Sequence, residues 1–280
     1  MRSAKTGWGL LAPALLWIVA FFTVPMALMV AVSLWSREKG KIVQTWDMGN
    51  YANFLEKSYF LQGLVNSLEI TAIVTVISVL LAYPLAWIIA EQVPARFRRL
   101  ALILAILPFW TSYVVRSYSW LLVLGKGGIV NQTLLSIGLI AEPLEIASTR
   151  AATVIGFVHF FTMLLTLTIY ANLVQLPRNY RRAAADLGAS GFQTFRHVIL
   201  PLTLPGIMVG AFLTFVLCIG DYITPQILGG NNELTLPQII MLQIGRRADF
   251  PMASAIALIL MGVVTLAYIA CARWLRLERV

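Results

Sequence analysis

The segment that decides the fold is Asn179 to Gly206, NYRRAAADLGASGFQTFRHVILPLTLPG, a polar and basic stretch between two long apolar segments. Its first residue is a favourable N-cap, and Gly188 suits the left-handed position at a helix C-terminus. Ser190, with Gln193 three residues later, fits a capping box. The segment therefore predicts two short helices joined by a tight bend, and we expect the second helix to end at Pro201.

The charges of the first short helix oppose its dipole, because Arg181 and Arg182 lie in its first turn and Asp186 in its last. A pair of Arg182 with Asp186 would contribute only about 0.3 kcal/mol on an exposed helix, so local stability does not explain these positions. Two interpretations follow. The helix is either an ordinary solvated loop helix or a surface that docks on another protein or on lipid phosphates.

The composition is that of an integral membrane protein. The chain of 280 residues is 59% hydrophobic and 12% charged, with a mean hydropathy of +0.82. These values exclude a soluble domain, and a helix needs only ~20 apolar residues to cross the hydrocarbon core. The sequence therefore predicts an all-α integral membrane fold with six transmembrane helices. The predicted spans are Leu10 to Trp35, Ser67 to Ala90, Leu100 to Leu124, Ala151 to Val174, Pro205 to Leu228 and Met252 to Trp274.

The loops differ in charge from one side of the membrane to the other. If the N- and C-termini are cytoplasmic, the loops and ends on that side hold 12 Lys and Arg against 3 acidic residues. The outer loops hold 8 basic against 7 acidic residues. Because basic residues accumulate on the cytoplasmic side of membrane proteins, we expect both termini there. The net charge of +9 therefore marks the cytoplasmic face and does not indicate nucleic-acid binding.

Arg116 lies within the third predicted span, where an unpaired charge at the bilayer centre costs about 3 kcal/mol even on lenient scales. One interpretation places it near the outer interface, with its side chain extended to the headgroups beside an aromatic belt. The other interpretation makes it part of an ion pair or of the solute pathway, with Asp221 or Glu69 as its partner.

Asp221 lies toward the outer half of the fifth predicted span, in GDYITPQILGG, where Gly220 and a proline loosen the helix and free backbone carbonyls. Beside Tyr222, its carboxylate suits a cationic substrate through charge attraction and cation–π contact. The alternative is a pair with Arg116. Glu69 begins the second predicted span, either as a pathway residue or as an interfacial cap.

The basic segment resembles the "EAA" signature of the permease subunits of ATP-binding cassette importers: Glu-Ala-Ala, three residues, Gly, nine residues, Ile, one residue, Leu-Pro. Arg182 stands in place of the motif's Glu and Val198 in place of its Ile. The residues that match in register are Ala183, Ala184, Gly188, Leu200 and Pro201. In that family this loop forms a coupling helix that sits in a groove of the cytoplasmic ATPase.

The resemblance extends over nearly the whole chain. The runs APALLWIVAFFTVPMALMVAVSLW, PFWTSYVVRSYSW and GDYITPQILGG, with the pair Asn66-Ser67, are similar to permeases of the spermidine/putrescine type. The resemblance implies a type I importer (MetI-like) permease fold over residues 1–280 as a single transmembrane permease domain. It has a peripheral helix at about 10–35, a five-helix core at about 67–274 and a cytoplasmic coupling loop at about 176–204.

The resemblance also assigns roles to residues. Those expected to couple to the ATPase are Arg182, Ala183, Ala184, Asp186, Leu187, Gly188, Ala189 and Ser190. Those expected along the path of a small cationic solute such as spermidine or putrescine are Asp221, Tyr222, Arg116 and Glu69. The expected partners are a second, different but homologous permease, two ATP-binding subunits, a periplasmic or extracellular solute-binding protein and the lipid bilayer, with no nucleic acid. The expected location is the bacterial cytoplasmic (inner) membrane, crossed several times.

The chain itself is not expected to be an enzyme. It contains no Walker motif GxxxxGK[ST], so ATP and Mg are expected on the partner ATPase, with no catalytic residue, metal or cofactor on this chain. His159 is interpreted as packed or hydrogen-bonded, and Cys218 and Cys271 as core residues. The alternative function is an ion-coupled secondary transporter of small amines, which would require ionisable relays or broken helices in paired halves.

Overall fold

A computed structural model describes residues 11–177, 179–230 and 233–275, with side chains as far as residue 272. Several residues predicted to be cytoplasmic lie outside the described residues, as do both chain ends. These residues are Arg2, Lys5, Arg178, Arg276 and Arg279.

The described residues are mainly helical, with one short hairpin that the all-α prediction missed. The helices are α1 Leu11–Ser33, α2 Gly49–Glu56, α3 Ser58–Gln92, α4 Ala95–Trp110, α5 Tyr113–Leu124, α6 Ile129–Ser136, α7 Arg150–Gln175, α8 Asn179–Asp186, α9 Gly191–Ile219, α10 Ile223–Leu228, α11 Leu236–Gly245 and α12 Phe250–Leu275. Strands β1 Ser36–Glu38 and β2 Lys41–Val43 pair antiparallel, with Ser36 opposite Val43.

Five of the described helices are long and apolar enough to cross a membrane: α1, α3, α7, α9 and α12. A sixth span is formed only if α4 and the helical segment that follows it count as one, and these are bent by 91°. The predicted third span, 100–124, is therefore sharply bent rather than one continuous helix. Pro108 lies in a 3₁₀ turn at the end of α4, and Thr111 is extended, so the α-helical ladder stops there.

The predicted bend at Gly188 and the helix starts before and after it are confirmed, although only the first of the two helices is short. Helix α8 begins at Asn179, and Gly188 has φ +80°. Ser190 N donates to Gln193 Oε1 at 2.8 Å, and Gln193 N donates to Ser190 Oγ at 3.3 Å, which completes the capping box at the start of α9. These local signals were sufficient because each acts within one helical turn.

The predicted end of the second helix at Pro201 is wrong, because α9 continues through it to Ile219. A π-helical turn, Phe195–Ile199, precedes the proline. Pro201 is then the second residue of the following α-helical segment, where its missing N–H is tolerated. The predicted fifth span, 205–228, therefore starts too late, and it is broken between α9 and α10 at residues 220–222.

The described chain forms two compact units. One contains the described residues up to Gln62 together with Leu236–Gly262. Within it, Asn50 Nδ2 donates to the carbonyl oxygens of Ser33 at 2.8 Å and Trp35 at 2.7 Å, which fixes α2 to the end of α1.

The other unit contains Gly63–Thr235 and the described residues from Val263 onward. Helix α7 lies at its centre, and its buried side chains pack against α3 and α9. The core cluster consists of Ala82, Tyr83, Ala86, Ala90, Leu165, Ile169, Leu173, Ile199 and Ile207. The packing of α3, α7 and α9 positions the segment around Gly188 at one end of this unit, and we call that end the coupling-loop end.

We expect Gly230→Ala to destabilise the protein more than Gly40→Ala. Both glycines have positive φ, +67° and +82°, where an L-residue costs about 1–2 kcal/mol. A Cβ at Gly230 would lie 2.5 Å from the carbonyl oxygen of Ser148, whereas nothing lies within 4 Å of one at Gly40. The measurement is the midpoint of thermal unfolding in detergent. Equal shifts for the two variants would contradict the close approach at Gly230.

Candidate functional site

Most of the residues predicted to couple to an ATPase lie together around one surface cleft of about 590 Å³ at the coupling-loop end. Its lining includes Ala183, Ala184, Leu187, Gly188 and Ala189. Ala184 is buried, whereas Leu187 is 88% exposed. Small residues make up much of the lining, and the exposed leucine is one of its larger side chains.

The remaining predicted coupling residues have different positions. Ser190 caps α9, while Arg182 and Asp186 are exposed on α8. The ion pair of α8 is formed by the neighbouring Arg181, whose Nη1 contacts Glu91 Oε2 at the end of α3. The basic first turn of α8 therefore has one arginine held within the chain and one that is exposed.

Asp221 lies in the break between α9 and α10 and accepts three hydrogen bonds. The donors are the hydroxyl of Tyr113, the hydroxyl of Thr224 at 3.0 Å and the backbone N–H of Ile223 at 2.8 Å. The Tyr113 hydroxyl also contacts Thr224 Oγ1. The carboxylate of Asp221 therefore joins α5, which starts at Tyr113, to α10, which starts at Ile223. Tyr222, beside Asp221 in the chain, is 38% exposed.

Arg116 is only 7% exposed, so the interpretation that it extends to the headgroups is wrong. Its Nη1 donates to the carbonyl oxygen of Pro108 at 2.9 Å, and its guanidinium lies 4.7 Å from the ring centroid of Phe160 and 5.2 Å from that of Tyr113. Within the described residues no ion pair joins Arg116 to Asp221. The carbonyl and the two ring faces supply the negative potential that the buried cation needs.

Glu69 forms an ion pair with Arg150 at the end of the unit opposite the coupling loop. Arg150 Nη2 lies 2.5 Å from Glu69 Oε2, and its Nη1 lies 4.0 Å from Glu233 Oε2. The Glu69 and Glu233 side chains are about half exposed, and Arg150 is 26% exposed. This cluster ties the outer parts of α3 and α7 to the segment after α10.

The structure therefore does not gather the predicted pathway charges into one site, and it adds residues that sequence reasoning missed. The partners missed are Tyr113 and Thr224 for Asp221, Arg150 and Glu233 for Glu69, and Glu91 for the coupling loop. A signal for Glu91 was present, since it is one of only three acids assigned to the basic side. The other pairings join distant parts of the chain and leave no local pattern.

The histidine and the two cysteines of the spans lie where the sequence predicts. Trp120 Nε1 donates to His159 Nδ1 at 3.0 Å, which confirms the prediction of a hydrogen-bonded histidine. Cys218 is buried and Cys271 partly buried, and both are free thiols. Across the described ranges, no three His, Cys, Asp or Glu residues are grouped so that they could hold a metal ion.

Comparison with protein families gives one match over most of the chain. Residues 71–276 match the family described as "Binding-protein-dependent transport system inner membrane component". The chain is 33% identical over 263 residues to the spermidine/putrescine transport system permease protein PotB of Escherichia coli K12, covering 92% of this chain and 95% of that protein. It is 34% identical over 209 residues to the inner membrane ABC transporter permease protein YdcU of the same organism, covering 70% and 66%.

Solved structures show the same architecture. A chain of a bacterial ABC transporter that imports the acidic polysaccharide alginate superposes with a TM-score of 0.78 at 16% identity, covering 99% of both chains. A chain of the MetNI methionine ABC transporter superposes with a TM-score of 0.59 at 17% identity, covering 77% of this chain and 94% of that one. These matches confirm the fold that the sequence predicts.

We expect Tyr113→Phe to lower stability, because it removes a hydrogen-bond donor from a partly buried carboxylate, at a cost of about 2 kcal/mol. Tyr118→Phe is the matched control, since Tyr118 lies on the same helix and is 54% exposed. The measurement is the thermal unfolding midpoint of each variant in detergent. If the two variants unfold at the same temperature, the Tyr113–Asp221 contact does not contribute to the fold.

Proposed function

The chain belongs to the family of binding-protein-dependent transport system inner membrane components, and we propose that the solute it carries is a small cation such as spermidine or putrescine. It is a multi-pass transmembrane permease subunit of an ATP-binding cassette importer. The observation that carries the proposal on the solute is the 33% identity to PotB over 92% of the chain. An ion-coupled secondary transporter is not favoured, because the matched family and the solved relatives are subunits of ATP-driven importers.

Asp221 supports a cationic solute. Its three partners among the described residues are neutral donors, so they stabilise the carboxylate without cancelling its charge. The break between α9 and α10 places this charge beside the half-exposed ring of Tyr222. A carboxylate and an aromatic face together suit an alkylammonium group, through Coulomb attraction and cation–π contact. Arg116 and Glu69 are further candidates along the path.

The proposed assembly contains a second, homologous permease, two ATP-binding subunits and a soluble solute-binding protein outside the inner membrane. ATP and Mg belong to the ATP-binding subunits, and this chain binds no cofactor and hydrolyses nothing. The whole chain acts as a single permease domain with its termini in the cytoplasm. Exposed Leu187 and the small residues around Gly188 support docking of the coupling loop, residues 176–204, into a groove of an ATP-binding subunit.

Transport follows alternating access. When ATP closes the ATP-binding subunits, their grooves move the docked coupling loops, and the spans rock to accept solute from outside. Hydrolysis reverses the motion and releases the solute inside. In this scheme Leu187 and Gly188 receive the force, while Asp221 binds the solute during passage.

The proposal is tested by purifying the chain from its native membrane in mild detergent, identifying the co-purifying chains and reconstituting the complex in liposomes. We expect an ATP-binding subunit, a second permease and a binding protein, with ATP-dependent uptake of labelled spermidine. A chain that purifies alone overturns the proposed assembly. A complex that hydrolyses ATP but does not import spermidine or putrescine overturns the proposed solute class alone.

We expect Asp221→Asn to reduce spermidine uptake roughly tenfold, the effect of losing about one hydrogen bond to a charged group. Assembly of the complex is expected to change much less, because Asn retains the shape and part of the hydrogen bonding. Glu145→Gln is the control, since it removes a carboxylate that is 74% exposed in an outer loop. The measurement is uptake per assembled complex. Equal losses of uptake and assembly would give Asp221 a structural role instead.

Gly188→Trp is expected to abolish uptake while leaving membrane insertion intact. Any L-residue at φ +80° carries the same backbone strain, so Gly188→Ala measures that cost by itself. Only the Trp side chain extends into the cleft, where nothing lies within 4 Å of the added Cβ. Uptake and ATP hydrolysis are measured for both variants. Normal uptake with Trp would remove the docking assignment.

A further inference from the structure

We propose that the coupling loop drives α3 through a non-covalent link in which Arg181, Phe195 and Thr203 hold Glu91, Trp87 and Tyr83. The inference rests on the proposed docking of the loop on an ATP-binding subunit. The link gives a route by which movement of the docked loop reaches α3, and the covalent connections of the chain do not provide such a route. The loop is covalently joined to α7 and α9 only, whereas α3 ends at Gln92, far from it in sequence.

The first contact is the ion pair between Arg181 of α8 and Glu91 of α3. The two side chains are 25% and 27% exposed, although Glu91 as a whole residue lies at the surface. A pair that is partly shielded from water is screened less by salt than a fully exposed pair. This contact joins α8 to the end of α3.

The second contact is the ring of Trp87, which is held from both halves of the loop. The guanidinium carbon of Arg181 lies 5.5 Å from its centroid. Phe195, on the other side of Gly188, lies with its centroid 5.4 Å from Trp87 in an edge-to-face arrangement of 84°. Both geometries are attractive, because the negative potential of an aromatic face attracts a cation or the edge of another ring. Trp87 therefore contacts the helix before the bend and the helix after it.

The third contact extends the link one turn farther along α3. The ring of Tyr83 lies 5.7 Å from that of Phe195, and its hydroxyl lies 3.2 Å from Thr203 Oγ1. Tyr83, Trp87 and Glu91 are four residues apart, which places them on one face of a helix. This face of α3 follows the coupling loop from Arg181 to Thr203. We call the six residues the α3 link.

The arrangement means that a displacement at Gly188 moves α8 and the start of α9, and each carries a contact to the same face of α3. Tyr83 also belongs to the buried core with Leu165 and Ile169, so the link is continuous with tight packing rather than with a flexible surface.

The opposite part of α3 carries Glu69, paired with Arg150. At about 1.5 Å per residue, the 22 residues between Glu91 and Glu69 span about 33 Å, close to the thickness of the hydrocarbon core. Helix α3 thus reaches from the coupling loop to the ion pair on the other side.

Arg181 and Glu91 are positioning residues in this scheme, and a charge exchange tests them. In the complete complex in liposomes, we expect R181E and E91R each to lower the ratio of spermidine imported to ATP hydrolysed by roughly fivefold, while ATP hydrolysis persists. The double variant R181E/E91R restores the opposite-charge pair, so it is expected to return the ratio to within about twofold of the original.

R99E is the matched control, because it reverses an exposed arginine on α4 and is expected to leave the ratio unchanged. If a reversal prevents assembly, Arg181→Gln and Glu91→Gln, each of which removes one charge of the pair, provide the comparison in assembled complexes, with a reduced ratio again expected. A merely structural pair would change the yield of complex but not the ratio. An unchanged ratio in the assembled single variants, or a double variant as poor as the single ones, overturns the link.

Failure of the link can be told apart from failure of the proposed function. If the unmodified complex hydrolyses ATP but does not import spermidine, the proposed solute class fails before any variant is compared. If it does and the exchange has no effect, only the α3 link fails.

Discussion

A charge inside a membrane requires a polar partner supplied by the protein, and this requirement explains the breaks in the spans. Where α4 ends in its 3₁₀ turn, the carbonyl of Pro108 is released from the helical ladder and accepts a hydrogen bond from Arg116. Where α9 ends, Asp221 accepts the N–H of Ile223, a free group at the start of α10. Each break therefore supplies a backbone group to the charge beside it.

Helix α7 organises the larger unit because it contributes to three buried clusters among the described residues. Leu165, Ile169 and Leu173 pack with α3 and α9 near the coupling loop, and Phe157 and Phe161 form a second cluster farther along. Its first residue, Arg150, holds Glu69. Close packing of this kind makes neighbouring spans move as bodies, which is what an alternating-access transporter requires.

The sequence predicted the fold and the local features of the coupling loop. Apolar runs of membrane-spanning length, the glycine at 188 and the Ser190–Gln193 capping box each depend on residues within about 20 positions. The sequence prediction failed where one local signal competed with another. Pro201 was predicted to end a helix, but the π-helical turn before it changes which backbone N–H must donate a helical hydrogen bond. The run 100–124 has the hydropathy of one span but contains Pro108. Hydropathy does not show how a proline changes the direction of a helix.

The candidate site was only partly predictable, and the reason is distance along the chain. The residue types were recognised, since a charge in an apolar segment is conspicuous in any sequence. Their partners were not, because Glu69 and Arg150 are 81 residues apart, Glu91 and Arg181 are 90 apart, and Tyr113 and Asp221 are 108 apart. Hydropathy, caps and helical spacing by themselves determined that this chain has membrane-spanning segments and a polar, basic loop that bends at Gly188. Only the tertiary structure decided which group neutralises which charge, because that choice depends on how α3, α5, α7 and α9 pack, and packing is a property of contacts between distant segments.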